Sequence, residues 1–175
     1  TEEVALKILF PDGKSTFQVG EPIPLELRFS ASKSSAYWMT TRNYDRSGRL
    51  DIEHFEVTPP GRDPLKDYFT GGAFFGGGLG GSTMLQPKPY VFNRDLNEWV
   101  ALEKPGRYTL KVVSHRITQG KDYYATKPAP VESNELALEI VKTDPAWERS
   151  SIDQAMSILE EAKPDEKSRD KAVRS

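Results

Sequence analysis

The chain's 175 residues suit one domain, or one domain plus part of a second, and suffice to bury a core without covalent staples. With no cysteine it can form no disulfide, no thiolate nucleophile and no cysteine-ligated zinc or iron–sulfur centre. Its 24 Lys and Arg against 26 Asp and Glu leave a net charge of -2, too little to gather nucleic acid or an anionic membrane, so partners are expected to be recognised locally.

In chain order, "VALKILF" alternates Leu6, Ile8 and Phe10 on one face and stops at Pro11-Asp12-Gly13, residues suited to a tight turn. In "IPLELRFSA", Ile23, Leu25, Leu27 and Phe29 point one way, Glu26 and Arg28 the other, which predicts a half-buried strand. Pro22 and Pro24 lack an N–H for a ladder, so the start of that strand should lie at an edge or bulge. "AYWMTTRNY" reads as the next strand, "DRSGR" as a turn around Ser47-Gly48, and "LDIEHFEV" as the returning partner. Pro59-Pro60-Gly61 ends that regularity.

Residues 58–89 hold no convincing element, and a connection that long inside a compact domain is usually functional or disordered. Order resumes with "YVFN" and "EWVALE", then "KPGRYTLKVVSHRI", where Pro105-Gly106 supplies a corner and Tyr108, Leu110, Val112 and Ser114 share a face. A second irregular stretch, 118–133, leads to "NELALEIV", with Leu136, Leu138 and Ile140 facing in. The count is about seven or eight strands with turns at sandwich spacing. The period then changes: Asp144 can cap a helix with Pro145 at its first position, and Trp147, Ile152, Met156 and Leu159 follow near helical spacing. A further helix is expected after Pro164, where eight of the last thirteen residues are charged and the apolar content is too low for a helix without neighbours. The expected division is thus a mainly β, antiparallel sandwich over 1–142, interrupted by the 58–89 insertion, and a helical segment over 143–175 that continues into a larger helical region.

"GGAFFGGGLGG", residues 71–81, has seven glycines in eleven positions, and Gly76, Gly78 and Gly81 fit G-x-G-x-x-G. A dinucleotide site needs a helix directly after these glycines, and the prolines of "STMLQPKPY" argue against one. No G-x-S-x-G elbow occurs, and Ser114 beside His115 points to the opposite strand face. "DRSGRLDIEHFE" matches parts of a calcium loop at Asp45, Ser47, Asp51, Glu53 and Glu56, but places Arg49 and Leu50 where an oxygen ligand and a glycine belong. His54 and His115 read as strand histidines near charged neighbours; a polar cleft holding either beside a carboxylate would point to catalysis. No catalytic, cofactor or metal residue is therefore assigned. The remaining candidates are aromatic: Tyr37 and Trp38 are adjacent on a strand, so one should face out, and Tyr68, Phe69, Phe74 and Phe75 lie in the long insertion. Trp99 and Tyr108 fall where a sandwich wants core.

"ALEKPGRYTLKVVS" resembles the corner before the sixth strand of immunoglobulin-like and fibronectin type III-like domains. Leu102, Gly106 and Tyr108 match that corner, in which the tyrosine bonds back to the corner backbone. The core cysteines and central tryptophan of antibody domains are unmatched. At a finer level, "TRNYDRSGRLDIEHFEV", "DPLKDYF", "LNEWVALEKPGRYTLKVVSHRI" and "DPAWER" resemble a module of uncharacterised bacterial, secreted proteins that continue into HEAT-type helical repeats. The resemblance implies an immunoglobulin-like Greek-key sandwich, an extracytoplasmic location, and no catalytic residues. The function expected on these grounds is recognition or scaffolding of a protein partner, or of the helical continuation of the same chain. A carbohydrate-binding module using exposed aromatics is the alternative, and an enzyme fragment the third reading. Nucleic acid, a membrane span and a cofactor are not expected.

Overall fold

The computed structural model describes residues 3–32, 36–42, 52–66, 80–120 and 127–161. Strand-forming alternation decides most of its elements. β1 (Val4–Leu9), β3 (Pro24–Ala31) and β7 (Tyr90–Asp95) form one antiparallel ladder in the order β1-β3-β7. Every second residue of β3 is buried, with Leu27 and Phe29 fully so; each such side chain contributes about 1.5–3 kcal/mol relative to exposure. β1 pairs with β3 only from Glu26 onward, so at Pro24 the strand has β7 on one side alone and the missing N–H costs no rung there.

The second set of ladders is built on β8 (Gly106–Ser114) and β9 (Ile117–Gln119), separated only by His115 and Arg116. On one side of them run β10 (Lys127–Pro128), β11 (Val131–Glu132) and β12 (Leu136–Val141), and β2 (Thr16–Gln18) adds to β12 in parallel. On the other side lie β4 (Tyr37–Thr40), against β9, and β5 (Glu53–Thr58), against β8; β6 (Ser82–Met84) pairs with β4. Thr40 N donates to Arg116 O (3.1 Å) and His115 N to Ile52 O (2.9 Å), which carries the pairing across the junction. The inward side chains of both sets form one apolar cluster. The protein is thus mainly β, with several antiparallel sheets in an arrangement compatible with a β-sandwich.

Three expectations change here. β4 and β5 are not hairpin partners: both pair with the β8–β9 line, and Thr40 and Ile52 face consecutive residues of it. The turn expected at "DRSGR" lies outside the described residues. The 58–89 stretch contains β6, overlooked because three residues between glycines and prolines carry too little pattern, yet it brings Leu85 fully into the core. "EWVALE" is likewise not a strand: Leu96–Glu98 is a 3-10 turn whose cap, Asp95, accepts from Asn97 N.

Side-chain amides close the layers. Asn134 accepts from Ile8 N (2.9 Å) and donates to Ile8 O (3.2 Å), substituting for a neighbouring strand along β1. At the corner after Leu102, Gly106 adopts φ 156° and the Tyr108 hydroxyl donates to Lys104 O at 2.8 Å.

A separate unit spans Lys142–Ser175. Its helix, α1 (Pro145–Glu161), starts where Asp144 Oδ1 accepts from Ala146 N (2.8 Å), and Ile152, Met156 and Leu159 are exposed. The helix expected after Pro164 lies outside the described residues.

Tyr108 is buried and its hydroxyl bonds the Lys104 carbonyl in a partly buried contact, so removing the hydroxyl loses that corner bond. Tyr108→Phe is expected to lower unfolding free energy by about 1–2 kcal/mol in urea denaturation, with an unchanged denaturant slope; an unchanged midpoint would show that the corner bond contributes nothing.

Candidate functional site

Inward parity on β5 and on the β8–β9 line delivers two charged residues to the interior. Glu53 shares its face with Phe55 and Val57, and Arg116 follows Leu110, Val112 and Ser114 at steps of two. Both side chains are essentially inaccessible, at 1% and 0% exposure, and they meet as a bidentate pair: Arg116 Nε and Nη2 donate to Glu53 Oε1 and Oε2, the latter at 2.9 Å. Arg116 Nη1 donates to the carbonyls of Thr40 (3.2 Å) and Arg42. The guanidinium lies 4.3 Å from the ring centre of Phe92 on β7, a cation–π contact across the two layers. A desolvated ion pair is tolerable only when such extra bonds satisfy the remaining donors. Sequence reasoning missed this pair because charge on a strand is ordinarily read as outward; opposite charges at core parity on two strands are the signal that could have found it.

Beside the pair, β5 borders a cleft of about 320 Å³. Its far wall is the segment after the cis Thr58–Pro59 bond, fixed by reciprocal bonds between Arg62 and Ala101 (3.1 and 2.7 Å). Gly61 permits this approach: a Cβ there would come within 2.3 Å of Val100 Cγ1 and 2.9 Å of Ala101 O. Trp99 closes the floor, its ring 5.1 Å from that of Phe55. Trp99 is 7% exposed and its Nε1 is buried without an acceptor among the described residues, which is costly for an indole N–H. His54, Glu53 and Asp63 also line this cleft. Glu53 is held by Arg116, and Asp63 Oδ1 accepts from Leu65 N at 2.9 Å. His54 and His115 are both exposed, and no group of three or more His, Asp or Glu able to hold a metal occurs among the described residues.

Of the aromatic candidates, Tyr37 is turned inward, 7% exposed, with its hydroxyl donating to Glu3 Oε2 at 2.8 Å, so it offers little ring to a partner. Trp38, of opposite parity, is half-buried. Tyr68, Phe69, Phe74 and Phe75 lie outside the described residues. At the corner already described, Gly106 lies beside the Tyr108 ring, and Leu102 is buried in the core cluster. Where the glycine run ends, Gly81 and Thr41 bond reciprocally, Thr41 N to Gly81 O (2.9 Å) and Gly81 N to Thr41 Oγ1 (3.0 Å). A Cβ on Gly80 would sit 2.7–2.8 Å from the Arg42 backbone. The run leads into β6, not the helix that a dinucleotide site requires.

No family model matches the chain, and comparison with curated proteins and with solved structures likewise gives no match. Among the described residues no helix is long and apolar enough to cross a membrane.

Two measurements follow from this geometry. Arg116→Met leaves Glu53 as a buried, uncompensated carboxylate and is expected to cost about 3–5 kcal/mol, whereas the double replacement with Glu53→Leu should recover most of it; equal losses in both variants would contradict a coupled pair. The Tyr37 hydroxyl is held above the ordinary tyrosine value, first by its bond to Glu3, then by burial and the Glu3 charge. Because the folded value is the higher one, this stabilisation is complete below about pH 10 and is lost as pH rises through the folded value. Absorbance titration should show a late-ionising tyrosine phase, and Tyr37→Phe should remove that phase and flatten the alkaline loss of stability.

Proposed function

We propose that this chain is a non-catalytic recognition or scaffold module of a larger bacterial extracytoplasmic protein, built as an immunoglobulin-like Greek-key sandwich that binds protein partners through its loops and edges. The order β1-β3-β7 and the line of β12, β8 and β5 correspond to the A-B-E and G-F-C orders of such sandwiches, and β2 beside β12 and the Tyr108 corner support the same reading. Fold carries no activity by itself. The observation that supports recognition is the flank where β5 and β7 each pair on one side only among the described residues, with Tyr90 and Val91 of β7 40% and 42% exposed. Unpaired strand edges and exposed apolar residues are what protein partners bind.

An enzyme fragment is the second reading, and one observation favours it: His54 and Asp63 face the same cleft. The carbohydrate alternative retains the half-buried Trp38 ring, without the support of Tyr37.

Photo-cross-linkers placed at His54, Tyr90 and, as a control, Lys7 distinguish these readings in extracts of the source organism. Protein adducts are expected at positions 54 and 90 and not at 7. Adducts to polysaccharide, or glycan binding lost in Trp38→Ala, would replace the proposal by the carbohydrate reading, and a turnover abolished by His54→Ala would replace it by the enzyme.

A further inference from the structure

The register of β5 determines where its backbone points. Ile52 and His115 stand opposite each other and are joined by the bond from His115 N, so they form a hydrogen-bonded rung. Rungs of this kind recur every second residue in an antiparallel ladder. His54, Glu56 and Thr58 therefore turn their N–H and C=O toward β8, and Glu53, Phe55 and Val57 turn theirs to the outer edge. Among the described residues β5 pairs with no other strand. The cleft touches consecutive residues of β5, Glu53, His54 and Phe55, and then Val57, so it runs along that edge and not over one face of the strand.

Glu53 is too deeply buried to be reached, which leaves Phe55, at 9% exposure, and the half-buried Val57 as usable rungs. Opposite them Trp99, whose buried indole N–H has no partner among the described residues, lines the same cleft. An occupant must thus supply carbonyls and N–H groups at strand spacing, together with an acceptor for Trp99. That is the chemistry of an extended peptide. Phe55, Val57, Trp99 and Val100 supply the apolar part of the lining, against which an apolar side chain entering the cleft can pack. Its neighbours in the added strand would point outward beside exposed Glu56, with Asp63 at the wall, which favours basic residues there.

We infer that the outer edge of β5 is a strand-addition site for an extended segment of a protein partner with alternating apolar and basic residues. The inference rests on the recognition role and specifies where and how it is exercised.

The test uses the whole chain, labelled with nitrogen-15, and the peptide acetyl-Lys-Val-Lys-Val-Lys-Val-amide. Binding should slow hydrogen exchange of the Phe55 and Val57 amides at least tenfold and shift the Trp99 indole resonance, and the peptide with Glu in place of Lys should bind at least tenfold more weakly. Val57→Pro deletes an edge N–H without removing a rung to β8, so it should weaken binding at least tenfold at an unchanged melting temperature. If that variant unfolds, Trp99→Phe keeps the ring and gives the second reading: lost affinity supports the site, and unchanged affinity overturns it. Protection at another strand edge overturns the site, as does self-association through β5 without peptide, which would make a second copy the occupant. A protein partner captured by cross-linking that binds the Val57→Pro chain at full affinity sinks the β5 edge and leaves the recognition role standing. If no protein is captured at all, the recognition role falls with it.

Discussion

Arg116 stands where the strand position shared by β4 and β5 is interrupted. Thr40 and Ile52 occupy consecutive places along the β8–β9 line, and Arg116 is the residue opposite the first of them. Its guanidinium reaches back to the Thr40 and Arg42 carbonyls, sideways to Glu53, and across to the ring of Phe92. One side chain thereby connects both halves of the interrupted strand and the opposite layer. A lysine could not replace it: a single ammonium lacks the planar fork that serves a carboxylate and two carbonyls at once, and it stacks poorly on an aromatic face. An insertion at mid-strand ordinarily loosens register. Here the rung on either side of it is pinned by a charge that has no other place to go.

The same arrangement determines the character of the neighbouring flank. Glu53 is held inside by Arg116, so His54 and Asp63 join it in a largely polar cleft lining to which Phe55 and Trp99 add an aromatic part. Gly61 holds the far wall close to Val100 and Ala101, so the cleft is narrow without being sealed. Edge strands in natural sandwiches are usually blunted by bulges, lysines or a covering element. β5 carries His54 and Glu56 outward and no lysine.

What the sequence displayed and what it concealed follow one physical division. Alternation identified β1, β3, β8 and β12 together with their inward residues, because burial on one face imposes a period of two whatever the partner strand is. Pairing partners leave no such mark. "AYWMTTRNY" and "LDIEHFEV" look like a hairpin because a turn-forming "SG" lies between them, and only the rungs to β8 and β9 show that both occupy one strand position. β6 escaped notice because three residues cannot display a period. The pair of Glu53 and Arg116 is the instructive omission: their parity is readable in the sequence, but a charge on a strand is ordinarily read as outward, so neither residue is singled out there as core. The aromatic reading of the site divided similarly, since Tyr37 and Trp38 had to face opposite ways and parity alone could not say which way was in.

Parity also links the core to the edge. In a strand paired on one side, all residues whose side chains face one layer turn their backbone groups the same way, either to the partner or to the free edge. On β5 the rung at Ile52 fixes this so that every core-facing residue, Glu53, Phe55 and Val57, points its N–H outward. Shifting the pairing by one residue would reverse both properties together, exposing Phe55 and burying His54. The apolar alternation that anchors β5 therefore cannot be separated from the row of unpaired donors and acceptors it leaves on the flank. A strand whose core residues pack against Trp99 and pair with Arg116 acquires, at no further sequence cost, an edge able to accept another chain.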